Sequence, residues 1–469
     1  MSRGRRALGL VAIGLSLVVV ACSSGAGTDV RGTGDEAPVD DASAERAAGP
    51  LLDLAVELEQ QLAGASPGSD IAVAALPVAM SLSQARSGAD GDTAADLDRV
   101  LHTPEGPDAP EQLANGLSSL DRLVASRAGE QRDVTGRTGT VAIDLAQSLW
   151  LQKGTTIDRA WLDGLATTWG TGVRTTDFRS DPETARKAVN GWVADATNGH
   201  IEQLAPRGTI SPATRILAAG AAYLKAPWVT PFADTETRLA PFRHLDGSVS
   251  TVSMMHNPEL TDARYGAGEG WTAVDLPYLG RDLWLTVILP DEGRFTDVEK
   301  GLDGTGLQEL LRSLTPTTLD LSLPKFGFTT DTPLTDALRS LGLTIATDPF
   351  AADFSGISTE PLSLTSVLHQ TYLAIAEQGT EATATNPKPP ATTPTTRART
   401  TTTVPSTTTS AADGQGGGGD TTTTTAATTT VPSVPRAVVV DADRPFLVLV
   451  RDRPTGAALF YGRVLSPNG

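Results

Sequence analysis

The side chains best able to bind a metal or attack a substrate are five histidines and one cysteine. His102, His200, His244, His256 and His369 stand apart from one another. None lies in an HExxH pair or beside Cys22, so no metal-ligand set is legible and no cofactor is expected. A Ser-His-Asp triad needs no closeness in sequence, and no nucleophile can be named; the chain does not read as an enzyme. His256, after Met254 and Met255, reads as structural, and Trp150 and Trp228 as sheet core. A different chemistry is suggested by Glu377–Asn386, EQGTEATATN. In a strand, Thr380, Ala382 and Ala384 share one face, with Glu381, Thr383 and Thr385 on the other. Small residues at alternate positions suit a peptide that slots into a crowded sheet. Its chemistry is backbone hydrogen bonding, with no reacting side chain.

Two strand-like segments must position this peptide, LTSVLHQTYLAIA before it and PFLVLV well after it. Between them run TTPTTRARTTTTVPSTTTS, GQGGGGD and TTTTTAATTT. That composition has too little apolar area to offset the entropy of ordering, so an exposed loop is expected. So long a loop between core strands is uncommon unless it is functional.

With 469 residues and 39% hydrophobic content, the chain can bury a substantial core. A formal net charge of −18 argues against nucleic acid and against charge-driven docking on anionic membranes. Residues 1–21 read as a signal peptide, with Arg3, Arg5 and Arg6 before the apolar LGLVAIGLSLVVV. The following Val19-Val20-Ala21-Cys22-Ser23 resembles a bacterial lipoprotein signal, which implies cleavage before Cys22 and lipidation of its thiol. The protein is then exported and lipid-anchored at the cell membrane, facing outside, with no intrachain disulfide. Residues 22–49, polar, small and acidic, read as a flexible tether.

Apolar spacing predicts a helix over 50–64 and another over 77–87, opened by Pro77 and stopped by Gly88. Thr93 reads as the cap of a third helix with Leu97, Val100 and Leu101 inward. Further helices are expected at 158–168 and 183–197, and one capped by Thr332 and closed by Gly342. Strands are expected at 141–152, 215–225, 282–290, 319–323, 365–376, 438–450 and 458–465. Helices mostly precede strands with no βαβ rhythm. That pattern predicts an α+β fold with large mixed β-sheets.

The sequence EQGTEATAT resembles the reactive-loop hinge of serpins, the serine protease inhibitor fold. Other matching segments are LPVAMSLSQARSGADGDTAADLDRVL, AAYLKAPWVTPF around Trp228, VSMMH, AVDLPYLGRDLWLTVILPDEG, LDLSLPKF and DADRPFLVLVRDRPTGAALFYGRVLSP. They occur in the family's order across residues 50–467. The resemblance implies a serpin domain there, with about eight or nine helices and a reactive loop at 377–437. It implies a monomeric suicide inhibitor of a target protease of serine or cysteine type. After cleavage the hinge Glu377, Gln378, Gly379, Thr380, Glu381, Ala382, Thr383, Ala384 and Thr385 enters the largest sheet as an extra strand, and the acylated protease is dragged along. By the same resemblance Lys325 and Glu377 form an ion pair, and His369 belongs to a polar cluster. That cluster's other positions fall on Leu76, Ala79 and Gly220, so His369 needs another partner.

The loop departs from the family pattern. Pro445 follows Glu377 by 68 positions, against roughly 27 in an ordinary member. Counting from the hinge places the scissile bond near Thr393-Pro394; counting from Pro445 places it near Val434-Pro435. Arg397 and Arg399 are alternative bait for a trypsin-like enzyme, or only breaks in a Thr-Pro tract. Pro387, Pro389 and Pro390 each remove a ladder donor where the inserted strand would run. The alternative function is a non-inhibitory surface binding or display module on the same scaffold.

Overall fold

The apolar run RILAAGAAYLK becomes β6 (Ile216–Pro227), whose first nine residues are buried on both faces. Such a strand requires cover on two sides, and the fold is built to supply it. The computed structural model describes residues 27–380 and 437–467. Elements are numbered in chain order. An eight-stranded sheet has the order β1 (Thr28–Val30), β5 (Val173–Thr176), β4 (Thr138–Gln152), β6, β16 (Gly379–Thr380), β15 (Leu364–Ala376), β14 (Phe326–Thr330); β3 (Gly129–Arg132) pairs with the outer part of β4. A seven-stranded sheet runs β12 (Thr315–Pro316), β9 (Arg264–Gly268), β10 (Trp271–Pro277), β11 (Leu283–Pro290), β18 (Phe446–Asp452), β19 (Ala458–Val464), β2 (Ile71–Val73). A four-stranded sheet runs β17 (Val438–Asp441), β13 (Leu319–Pro324), β8 (Val249–Leu260), β7 (Arg238–Arg243). The fold is α+β with large mixed sheets.

Nine helices occur among the described residues: α1 (Asp41–Ala65), α2 (Ala75–Arg86), α3 (Gly91–Val100), α4 (Ala109–Ala125), α5 (Arg159–Trp169), α6 (Pro182–Ala196), α7 (Phe295–Gly301), α8 (Gly304–Ser313) and α9 (Thr335–Ser340). One core cluster joins α1, α2 and α4 to the sheets and includes Leu51, Leu58, Leu76, Leu117 and Leu149. A second lies between the sheets around Trp228, Tyr278, Leu224 and Leu373. In a third, Trp150 and Trp192 meet edge to face at 6.0 Å beneath α6.

Several sequence expectations are corrected. The tether expected at 22–49 carries secondary structure from Thr28 onward. β1 pairs antiparallel with β5, and α1 begins at Asp41, capped by Asp40. Small residues explain why composition misled: Ala44, Ala47 and Ala48 are buried, and a Cβ on Gly116 of α4 would fall 2.5 Å from the Ser43 carbonyl. Close helix approach replaces large apolar contact there. Pro50, the first residue of the helix expected over 50–64, lies inside α1. The third helix is capped by Asp90, while the Thr93 hydroxyl accepts from the Asp353 amide. The last helix begins after Leu334, not at Thr332. The strand expected at 438–450 is two strands in different sheets, divided before Pro445, which has no N–H to continue a ladder.

Candidate functional site

β15 ends at Ala376, the chain turns through Glu377 and Gln378, and β16 comes back antiparallel, with Ala376 opposite Gly379 and Ile375 opposite Thr380. The other edge of β16 pairs antiparallel with β6, Gly379 opposite Pro227 and Thr380 opposite Ala226. Below this wedge β6 and β15 pair directly and in parallel, from Leu364 opposite Ile216 to Thr371 opposite Ala222. The two middle strands of the sheet are therefore parted at one end and joined at the other.

Gly379 fits because it has no side chain. Its φ is +144°, and a Cβ would meet the Ala226 carbonyl oxygen at 2.1 Å. Thr380 is fully buried, and its hydroxyl meets that of Tyr278. Burial pushes the Tyr278 hydroxyl well above its usual pKa, so it remains protonated. Tyr278 stacks on Trp228 with ring centroids 4.4 Å apart.

The segment after β6 fastens the turn. Trp228 Nε1–H donates to the Ala376 carbonyl at 3.0 Å. The amides of Trp228 and Phe232 donate to the carbonyls of Gln378 and Glu377 at 2.9 and 3.0 Å. Lys325 Nζ lies 2.9 Å from Glu377 Oε2, and Thr237 donates to Oε1 at 2.9 Å. Burial opposes ionisation of Glu377, but the bonds from Lys325 and Thr237 outweigh it and hold the carboxyl below its usual range.

Further down, where the middle strands are joined, His369 is buried between β15 and α2. Its Nδ1 donates to the Gly220 carbonyl at 3.2 Å, and its Nε2 accepts from the Ala74 amide at 3.1 Å. Side chains at Leu76, Ala79 and Gly220 give His369 nothing, as read from sequence; backbone groups take that role. Burial lowers its pKa to about 4, with the Gly220 bond pulling the other way, so the ring is neutral at pH 7.

Of the residues singled out from sequence, the structure brings together Glu377, Gln378, Gly379, Thr380, Trp228 and Lys325, and puts His369 lower in the same sheet. Glu381, Ala382, Thr383, Ala384, Thr385, Thr393, Pro394, Arg397, Arg399 and Cys22 lie outside the described residues. Tyr278 and Thr237 carried no signal in the sequence reading. The segment Gly64-Ala65-Ser66-Pro67-Gly68 has the spacing of a hydrolase elbow, but Ser66 follows a helix and precedes a strand, the reverse of what exposes such a nucleophile. No group of three or more potential metal ligands occurs among the described residues.

An α+β body whose main sheet is parted by a hairpin strand from a loop root defines a class of protein. The family model described as "Serpin (serine protease inhibitor)" matches residues 51–467, and the chain belongs to that family. An uncharacterized serpin-like protein of Thermococcus kodakarensis is 29% identical over 440 residues, covering 94% of this chain and 88% of that one. The leukocyte elastase inhibitor of Xenopus laevis is 26% identical over 386 residues, covering 81% and 88%. The native-state structure of the thermophilic serpin tengpin superposes with a TM-score of 0.71 at 21% identity, covering 94% of this chain and all of that one. That likeness is one of fold.

Proposed function

We propose that the protein is an exported, lipid-anchored inhibitor that traps a protease of serine or cysteine type as a suicide substrate. The observation that carries this reading is β16, already seated between the parted ends of β6 and β15. Continuing its register would place Ala382 between Leu224 and Leu373, and Ala384 between Ala222 and Thr371. All four of those neighbours are fully buried. Glu381 would face Lys225 and Ala374 on the other side.

Insertion exchanges one parallel β6–β15 ladder for two antiparallel ladders. Each added backbone bond contributes about 1 kcal/mol net, and antiparallel pairing is slightly the stronger kind. A cut between Thr393 and Arg399 leaves the acyl-protease on a taut inserted strand. A cut near Val434 leaves a long slack tether on which it would deacylate. Lipidation at Cys22 would hold the inhibitor at the outer face of the membrane.

The protein is incubated with a trypsin-like protease. An SDS-stable covalent complex is expected, with the released peptide mapping the cut to 393–399. Cleavage without any trapped species overturns the proposal. Pro387, Pro389 and Pro390 favour the second reading, a display module whose loop is cut but does not insert. There the unfolding temperature stays unchanged on cleavage; inhibition requires a sharp rise.

A further inference from the structure

A second concavity, away from the hinge, lies where α1, α8, β9 and the turn after β18 meet. It measures about 360 Å³ and is lined by Arg264, Arg312, Arg451 and Arg453, with Ala48 and Leu311 as apolar wall and Glu45 at its margin. Four guanidinium groups converge there in a chain of formal net charge −18.

Three of the four make no ion pair among the described residues. Arg264 donates only to the Leu314 carbonyl. Arg312 donates to the neutral Gln308 Oε1 at 3.0 Å. Arg453 lies over the Trp284 ring, 5.1 Å from its centroid. None has a carboxylate within ion-pair distance among the described residues. Arg451 does have one, Asp275 Oδ2 at 2.6 Å, and Asp275 also accepts from Thr286. Arg451 is only 7% exposed, and its Nε–H is buried with no acceptor. Burial depresses the Arg451 pKa, and the charges of Arg453 and Arg264 push the same way. Like charges gathered in one concavity focus a positive potential that favours a bound anion.

We infer that this cleft is a binding site for a phosphate monoester. Asp275 and Glu45 offset two of the four positive charges, which leaves an excess suited to a dianion. Planar guanidinium forks match tetrahedral phosphate oxygens in pairs. The volume exceeds that of a bare phosphate ion, so the ester's carbon portion lies against Ala48 and Leu311. The source is either a soluble metabolite or a lipid headgroup of the same chemistry.

The test uses the full chain carrying Cys22→Ser, so that no acyl chain contributes. At fixed ionic strength glycerol 3-phosphate is titrated by calorimetry, with acetate as control. Saturable binding is expected, with affinity at least about tenfold weaker in Arg312→Ala/Arg453→Ala. Both residues are exposed, so the double variant keeps its unliganded Tm. Flotation with phosphatidylcholine vesicles, with and without phosphatidic acid, assigns the source. Capture that needs phosphatidic acid and Arg453 identifies a headgroup; soluble binding without capture identifies a metabolite. Equal response to acetate, or equal binding by wild type and double variant, overturns the site.

Discussion

The two ends of the β6–β15 contact are built from different materials. At the parted end, side chains supplement a few short backbone contacts: Lys325 and Thr237 on Glu377, Trp228 on Ala376, Tyr278 on Thr380. At the joined end, continuous parallel pairing does the holding, with one neutral imidazole bridging Gly220 and Ala74. Each fastening above can be broken singly at modest cost. Below, the ladder must part together with the bridge. An opening of the kind proposed would therefore run from the hinge downward, with its main resistance at and beneath His369.

The largest test of that asymmetry is Ala384→Arg. Its register would place a long charged side chain between Ala222 and Thr371, where the joined ladder begins. The Tm of the uncut protein should hold, while the rise on cleavage and all covalent complex disappear. Trapping by this variant breaks the comparison.

Next comes His369→Ala, which strands a buried amide and a buried carbonyl at about 1–3 kcal/mol each. Urea titration at pH 7 should show a loss of about 3 kcal/mol or more. The pH dependence sharpens the point. With a folded pKa of about 4 against 6.5, the unfolded chain binds the extra proton first. Stability contributed by the neutral ring is full above pH 6.5 and falls as pH drops toward 4, by about 3 kcal/mol. His369→Ala should lack that acid decline; an unchanged slope assigns it elsewhere.

Tyr278→Phe removes one buried bond to Thr380, worth about 1 kcal/mol. Hydrogen exchange of the Thr380 amide should quicken about fivefold, with the Val367 and Leu368 amides of the joined end unaffected. Lys325→Met should cost least, under about 1 kcal/mol, since the Lys325 side chain is a third exposed. Because Glu377 is held below its usual pKa, its pairing stabilises above that range and is lost as pH falls through the folded value. In Lys325→Met the acid release of the hinge, followed by exchange at Gly379, should move to higher pH.

Much of the framework was legible because strands such as β6 and β11 are apolar on both faces, and α5 and α6 have clear helical spacing. The turn at 377–380 was pointed to by the resemblance, while the alternation of small side chains that follows lies outside the described residues. Lys325–Glu377 was legible only through family resemblance, since two charges 52 positions apart carry no periodic signal. The His369 bridge was hidden for a simpler reason: its partners are backbone groups, which every residue has. β1 and the first half of α1 were hidden because their packing relies on closeness. Gly32 lies so near Leu162 that a Cβ would be 2.2 Å from its carbonyl oxygen, and Asp163 accepts from Thr33. Sequences poor in large apolar residues read as unstructured even when small ones let backbones touch.

Seating Gly379 against Ala226 has a kinetic consequence. Starting a new strand ordinarily demands a search for alignment and a loss of chain freedom before any bond compensates. Here alignment is chosen when the molecule first folds, on both neighbours at once. Under the proposed mechanism, only elongation would remain once the loop is cut. Each residue would then be delivered to its place by the one before, and the speed of the proposed capture would be governed by how fast the ladder beneath yields.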